Sequence, residues 1–169
     1  MHAYNPATGY IQNPNFSANG VRGQIVVVRT NLNSPVMAWR PLAPIPVDPN
    51  HRFFCHGYSL GTYVTHGYSV LSGVEMLIVL ADEYVRIGYL DSPHVQANDV
   101  LVMWHGRTEI RHSAKIVNRV MAVGGGGVND GLTLLNSKTG TGPLKLGVSL
   151  ATVKQDYRDL TSFEVYRPA

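Results

Sequence analysis

Short aliphatic and β-branched runs bounded by turn residues dominate the hydrophobic pattern of this chain. Gln24 to Thr30 (Gln-Ile-Val-Val-Val-Arg-Thr) is β-branched and flanked by breakers, which predicts a strand. Val100 to Trp104, Glu109 to Ala122, Leu132 to Lys138 and Phe163 to Tyr166 read the same way. Helical spacing occurs in three places. From Cys55 to His66, Leu60, Tyr63 and Val64 fall on one face, although Gly57 and Gly61 lower the intrinsic propensity. Val74 to Val85 fits either a strand or a buried helix, and its length favours helix. Ser149 is placed as the N-cap of a last short helix running to Tyr157, with Leu150 and Val153 on its apolar side. Leu42 to Asn50 carries three prolines and predicts a loop. Residues 1–23, rich in Asn, Pro, Gly and Ser, read as an irregular arm or a junction with something upstream, and residues 24–169 as one domain. Helices followed by a meander of strands predict an α+β fold with an antiparallel sheet.

Composition narrows the function classes. The 169 residues are 44% hydrophobic and 15% charged, as in an ordinary soluble globular domain. A net charge of +3 is mildly basic, but the 14 Lys and Arg are scattered rather than clustered, which argues against nucleic-acid binding. No segment approaches the roughly 18 apolar residues of a membrane span, and Met1 to Pro6 lacks the pattern of a secretory signal. Synthesis in the cytoplasm follows, with export by a dedicated secretion machine left open. Gly124 to Gly127 separates two strands and lacks the following Lys-Ser/Thr of a phosphate cradle, so it reads as a hairpin connection. Neither His-Glu-x-x-His nor paired-cysteine spacing is present, so no metal and no cofactor is expected.

Candidate chemistry centres on Cys55, the single cysteine, which excludes an internal disulfide. A cysteine attacks as thiolate, and a free thiol with a pKa of about 8.5 is mostly protonated at neutral pH. A helix start and a neighbouring imidazole both lower that value. Cys55 opens a predicted helix, and His112 follows on a predicted strand, Ile110-Arg111-His112-Ser113-Ala114-Lys115. Asn136, in Leu134-Leu135-Asn136-Ser137-Lys138, is the candidate to orient the imidazole. His105 is the rival histidine, at a strand end beside Gly106, while His56 and His66 are expected to be surface or packing residues. A second enzyme reading uses Gly57-Tyr58-Ser59-Leu60-Gly61, which matches the G-x-S-x-G nucleophile elbow with Ser59 as nucleophile. A non-enzymatic binding module with a silent buried cysteine is the third reading.

Phe54-Cys55 at a helix start, Asn98-Asp99-Val100-Leu101-Val102 and His112-Ser113-Ala114-Lys115-Ile116-Val117 as successive strands, and Asn136-Ser137-Lys138-Thr139-Gly140 together resemble the compact papain-like cysteine hydrolases. The similarity extends to NlpC/P60 and CHAP domains and to bacterial papain-like toxin domains, over roughly residues 50–140. It implies a helix carrying the cysteine packed on an antiparallel sheet, Cys55 as nucleophile, His112 as base, and Asn136 or the adjacent Ser137 as third member. Papain relatives place a glutamine before the cysteine for the oxyanion hole. Position 49 here is Pro49, so Asn50 or a backbone N–H would serve. The implied activity is cysteine protease cleavage of peptide bonds in a protein target. Peptidoglycan peptide cleavage and glutamine deamidation are the alternatives within the same chemistry. The resemblance to interbacterial toxins further implies delivery by a type VI-like secretion machine and a cognate immunity protein as partner.

Overall fold

The computed structural model describes residues 1–18, 20–43, 55–138 and 143–169. The chain is α+β with two antiparallel sheets, rather than one. The first sheet has the order β1 (Tyr10–Asn13), β2 (Gly23–Arg29), β3 (Pro35–Pro41), β4 (Ser69–Val70). The second has the order β5 (Tyr84–Tyr89), β10 (Ser162–Pro168), β6 (Val100–His105), β7 (Glu109–Asn118), β8 (Leu134–Lys138), β9 (Leu144–Ser149).

Residues 1–23 are not an irregular arm. Tyr10 and Ile11 pair with Val27 and Val26, and the Met1 ammonium forms an ion pair with Glu83. Polar and turn-type residues are compatible with an edge strand, because one side of its backbone faces solvent and its side chains need not build a core. β3 is a further addition, paired along its length with β2 from Arg29↔Pro35 to Gly23↔Pro41.

Helix α3 (Gly73–Glu83) lies between the sheets. Val79 joins Val26, Val28, Val36, Ala38 and Val70 of the first sheet, while Met76 and Leu80 join Val100, Val102, Trp104 and Ile110 of the second. A helix buried on opposite sides needs apolar residues nearly all round, which explains why its sequence also fits a strand. It ends earlier than expected, since Tyr84 is already extended and the chain runs straight into β5. The other face of the second sheet, with Leu101, Met103, Ala114, Ile116 and Leu135, is covered by Leu150 and Val153 of α4 (Leu150–Asp156). Ser149 caps α4 by accepting from the Thr152 N–H at 3.2 Å, as the sequence predicts. β6 is buried on both faces, matching its unbroken run Val-Leu-Val-Met-Trp.

The expected helix over residues 55–66 is two helices, α1 (Cys55–Ser59) and α2 (Thr62–His66). Gly61, at φ 75°, turns the chain between them in the left-handed region that only glycine enters freely. Gly57 has a different purpose. A Cβ there would lie 2.2 Å from Ser69 Oγ and 2.9 Å from Ser69 Cα, so its absence seats α1 directly on β4. The Gly124–Gly127 segment is a hairpin connection closed by the Ala122 N–H to Gly127 carbonyl bond at 2.7 Å and the Met121↔Val128 bridge.

Candidate functional site

Cys55 opens α1, which packs across β7 and touches β4 and β8. Its side chain is buried at 8% exposure. Burial by itself pushes the thiol pKa up. The charge of His56, hydrogen bonding from His112 and from His56, and the charge of His112 together bring it well below its ordinary value. Two histidines therefore act on one thiol.

His112 reaches the site through an irregularity in β7. Trp104 pairs with Ile110 and Met103 with His112, so Arg111 is an extra residue in the strand. Ile110 thereby packs with the α3 side of the sheet, while His112 lies on the same side as Ala114, two residues along. Ala114 pairs with Ser137 of β8, and His112 Nε2 lies 2.7 Å from Ser137 Oγ. The ring also stacks on Tyr157, just past α4, with centroids 4.5 Å apart at 18°. His112 Nδ1 is fully buried and makes no hydrogen bond of ordinary length and angle among the described residues. With one ring nitrogen held by Ser137 and the other bare, the remaining polar neighbour that responds to His112 is the Cys55 thiol. Thiol–imidazole contacts in unliganded sites are commonly longer than a formal hydrogen bond and tighten on substrate binding.

Asn136 does not join this group. It is directed to the other side of β8, where its Oδ1 accepts from the Gly147 N–H at 3.0 Å. Strand alternation decides the matter: residues 136 and 137 face opposite ways, and Ser137 is the one on the His112 side. Asn50, the oxyanion candidate, lies outside the described residues, as do Phe54, Thr139 and Gly140. His105 is engaged by Asp159 instead, with its Nδ1 donating to the Asp159 carbonyl at 2.7 Å and its side chain 44% exposed. His66 stacks on Tyr68 at 5.7 Å.

His56 corrects the expectation of a surface or packing role. It is buried, with Nδ1 3.7 Å from Cys55 Sγ and 2.7 Å from Ser113 Oγ. Burial works to lower the His56 pKa, but the neighbouring Cys55 thiolate raises it above the ordinary value. Within one turn of α1, consecutive side chains normally diverge by about 100°. Here the strand beneath supplies a common target: Ser113 draws the imidazole back under the thiol. The only signal in the sequence was adjacency, which is too common to select a residue.

Ser59 is fully buried and bonded within the same network, with its Oγ 2.6 Å from Ser113 Oγ and 3.4 Å from the His56 carbonyl, to which it donates. It sits at the last position of α1, whereas a nucleophile elbow presents its serine at a strand-to-helix turn. No group of three or more metal-ligating side chains occurs among the described residues. No protein-family model matches the chain, and neither a curated protein nor a solved structure does.

Proposed function

We propose that this protein is a cysteine hydrolase that transfers the acyl group of a peptide amide to water, with the chemistry of the papain-like enzymes. The observation that carries the reading is the buried His112 imidazole, held at Nε2 by Ser137 and bare at Nδ1, acting on a thiol whose pKa lies well below its usual value. Cys55 Sγ attacks the carbonyl carbon and its proton passes to His112 Nδ1. The C–N bond then breaks, the same proton leaves with the amine, and water hydrolyses the thioester with His112 again as base. Ser137, in place of Asn136, holds the ring by accepting from Nε2–H. N–H groups near the start of α1 are the available oxyanion donors, with Asn50 as the side-chain candidate.

The substrate class proposed is a protein target, in an antibacterial effector carried by a secretion machine and neutralised by an immunity protein. This rests on the resemblance of Cys55 and the His112–Ser113–Ala114 strand to bacterial papain-like toxin domains, an analogy of fold and motif. Peptidoglycan peptides and glutamine side chains are attacked by the same thiol chemistry and belong in the same screen.

The test is hydrolysis of a panel of peptides, muropeptides and glutamine-containing proteins by the wild type, Cys55→Ala and His112→Ala. Turnover abolished in Cys55→Ala and reduced about 10²–10⁴-fold in His112→Ala is the expected outcome. Turnover that survives Cys55→Ala, together with fluorophosphonate labelling at Ser59, would replace this reading with a serine hydrolase.

A further inference from the structure

We infer that the two histidines beside Cys55 have different and fixed duties: a closed ring of hydrogen bonds through Ser113 and Ser59 makes His56 a permanent proton donor to the sulfur, leaving His112 alone to accept the thiol proton. The inference rests on the cysteine-hydrolase reading and adds positioning residues to that site.

Counting protons around the ring leads to this assignment. A serine hydroxyl has one hydrogen to donate. The His56 carbonyl, 3.4 Å from Ser59 Oγ, can only accept, so a Ser59 hydrogen directed to it leaves Ser113 as the donor in the 2.6 Å contact between the two hydroxyls. Ser113 has then spent its only hydrogen, and in the 2.7 Å contact with His56 it accepts. His56 Nδ1 therefore carries a proton whatever the charge of the ring. Cys55 Sγ, 3.7 Å from that nitrogen, is the second and longer acceptor of the same N–H. A nitrogen that already bears a hydrogen has no lone pair for the thiol proton. His112 is the complement, since its Nδ1 makes no hydrogen bond of ordinary length and angle among the described residues and its Nε2 is engaged by Ser137.

The ring also explains why Ser59 and Ser113 are buried polar groups where α1 meets β7. Together they fix the rotation of α1 on the strand and the tautomer of its histidine. Among the titratable groups on elements packed against α1, Glu109 and Arg111 of β7 are exposed and paired with each other. Lys115 on β7, Lys138 on β8, and Tyr63 and His66 on α2 complete the set. The lowering of the thiol pKa comes from His56 and His112 alone.

The experiment combines ¹⁵N NMR of the imidazoles, recorded above the His56 pKa where the ring is neutral, with the pH profile of iodoacetamide alkylation at Cys55. The wild type is expected to show His56 protonated at Nδ1 and His112 bare at Nδ1. Ser59→Ala frees the Ser113 hydrogen to point at His56, so the His56 proton moves to Nε2 and the thiol loses its donor. Alkylation above the His56 pKa, where the ring holds one proton, then slows, although the substituted residue does not touch the sulfur. His56→Asn, which keeps an N–H near the Nδ1 position, is expected to retain more acid-range reactivity than His56→Leu. For His56→Leu the acid-range alkylation rate is expected to fall. Thermal melts identify any variant that fails to fold, and Ser59→Ala then stands as the independent arm. A bare His56 Nδ1 in the wild type, or a tautomer unmoved by Ser59→Ala, overturns the assignment while leaving the hydrolase reading intact. If the wild type itself shows an ordinary thiol profile that His112→Ala and the His56 variants leave unchanged, the hydrolase reading fails with it.

Discussion

Gly57→Ala tests whether the contact between α1 and β4 is what places the thiol. The new methyl carbon would lie 2.2 Å from Ser69 Oγ, 2.7 Å from Ser69 Cβ and 2.9 Å from Ser69 Cα, where ordinary carbon contacts are about 3.5–4.0 Å. The hydroxyl can rotate away, but the Cβ and Cα belong to a strand held between β3 and α1, so α1 must move by roughly 1 Å. Overpacking of this kind costs about 1–3 kcal/mol, while alanine regains about 0.8–1.0 kcal/mol of helix propensity. The net loss is about 0–2 kcal/mol, or up to roughly 6 °C in Tm for a chain of this size. Thiol reactivity is expected to suffer more than stability. Cys55 lies two residues away in the same turn, and a displacement of about 1 Å at a reacting group can cost about 10²-fold in rate. Thermal unfolding and acid-range alkylation of Cys55, measured on the same preparation, read the two effects. A variant with wild-type Tm and wild-type alkylation would refute both the close seat of α1 and its role in placing the thiol.

Three further outcomes follow from the geometry. Ser137→Ala removes the partner of a buried imidazole nitrogen and is expected to cost about 1–3 kcal/mol and to cut turnover; Asn136→Ala, losing only the bond to Gly147, is expected to leave turnover unchanged, and equal effects would refute the assignment of the third residue. Ser149→Ala, which uncaps α4, is expected to destabilise by about 1 kcal/mol in a denaturant titration, with an unchanged midpoint counting against the cap. The stability difference between wild type and Cys55→Ala should depend on pH. A thiol ionising lower in the folded state adds stability that is full above its unfolded pKa of about 8.5 and is lost as pH falls through the folded value. His56, raised by the thiolate, adds stability that is full below about 6.5 and is lost as pH rises through its folded value. Their sum favours the wild type most between these two limits, and a difference that stays flat with pH would exclude the pair.

Elements whose pattern is local were legible in the amino-acid order alone. Gln24 to Thr30 and Val100 to Trp104 are strands because β-branched and aliphatic runs between breakers have few other solutions, and α4 begins at Ser149 because its hydroxyl caps the first turn. Cys55 and His112 were legible as residue types able to form a thiolate–imidazole pair. Tertiary structure decided the rest. The first sheet drew in residues 10–13 and 35–41 by pairing them with β2, an interaction between distant segments that no window of sequence contains. Of the two candidates Asn136 and Ser137, Ser137 is the one that faces His112, because strand alternation and register, set by partners on both sides of β8, choose which neighbour does so. His56 entered the site because Ser113, on a strand 57 positions away, holds its ring under the thiol. A residue type states what chemistry is available, whereas distance, tautomer and protonation belong to the group and arise only when the elements carrying it are packed together.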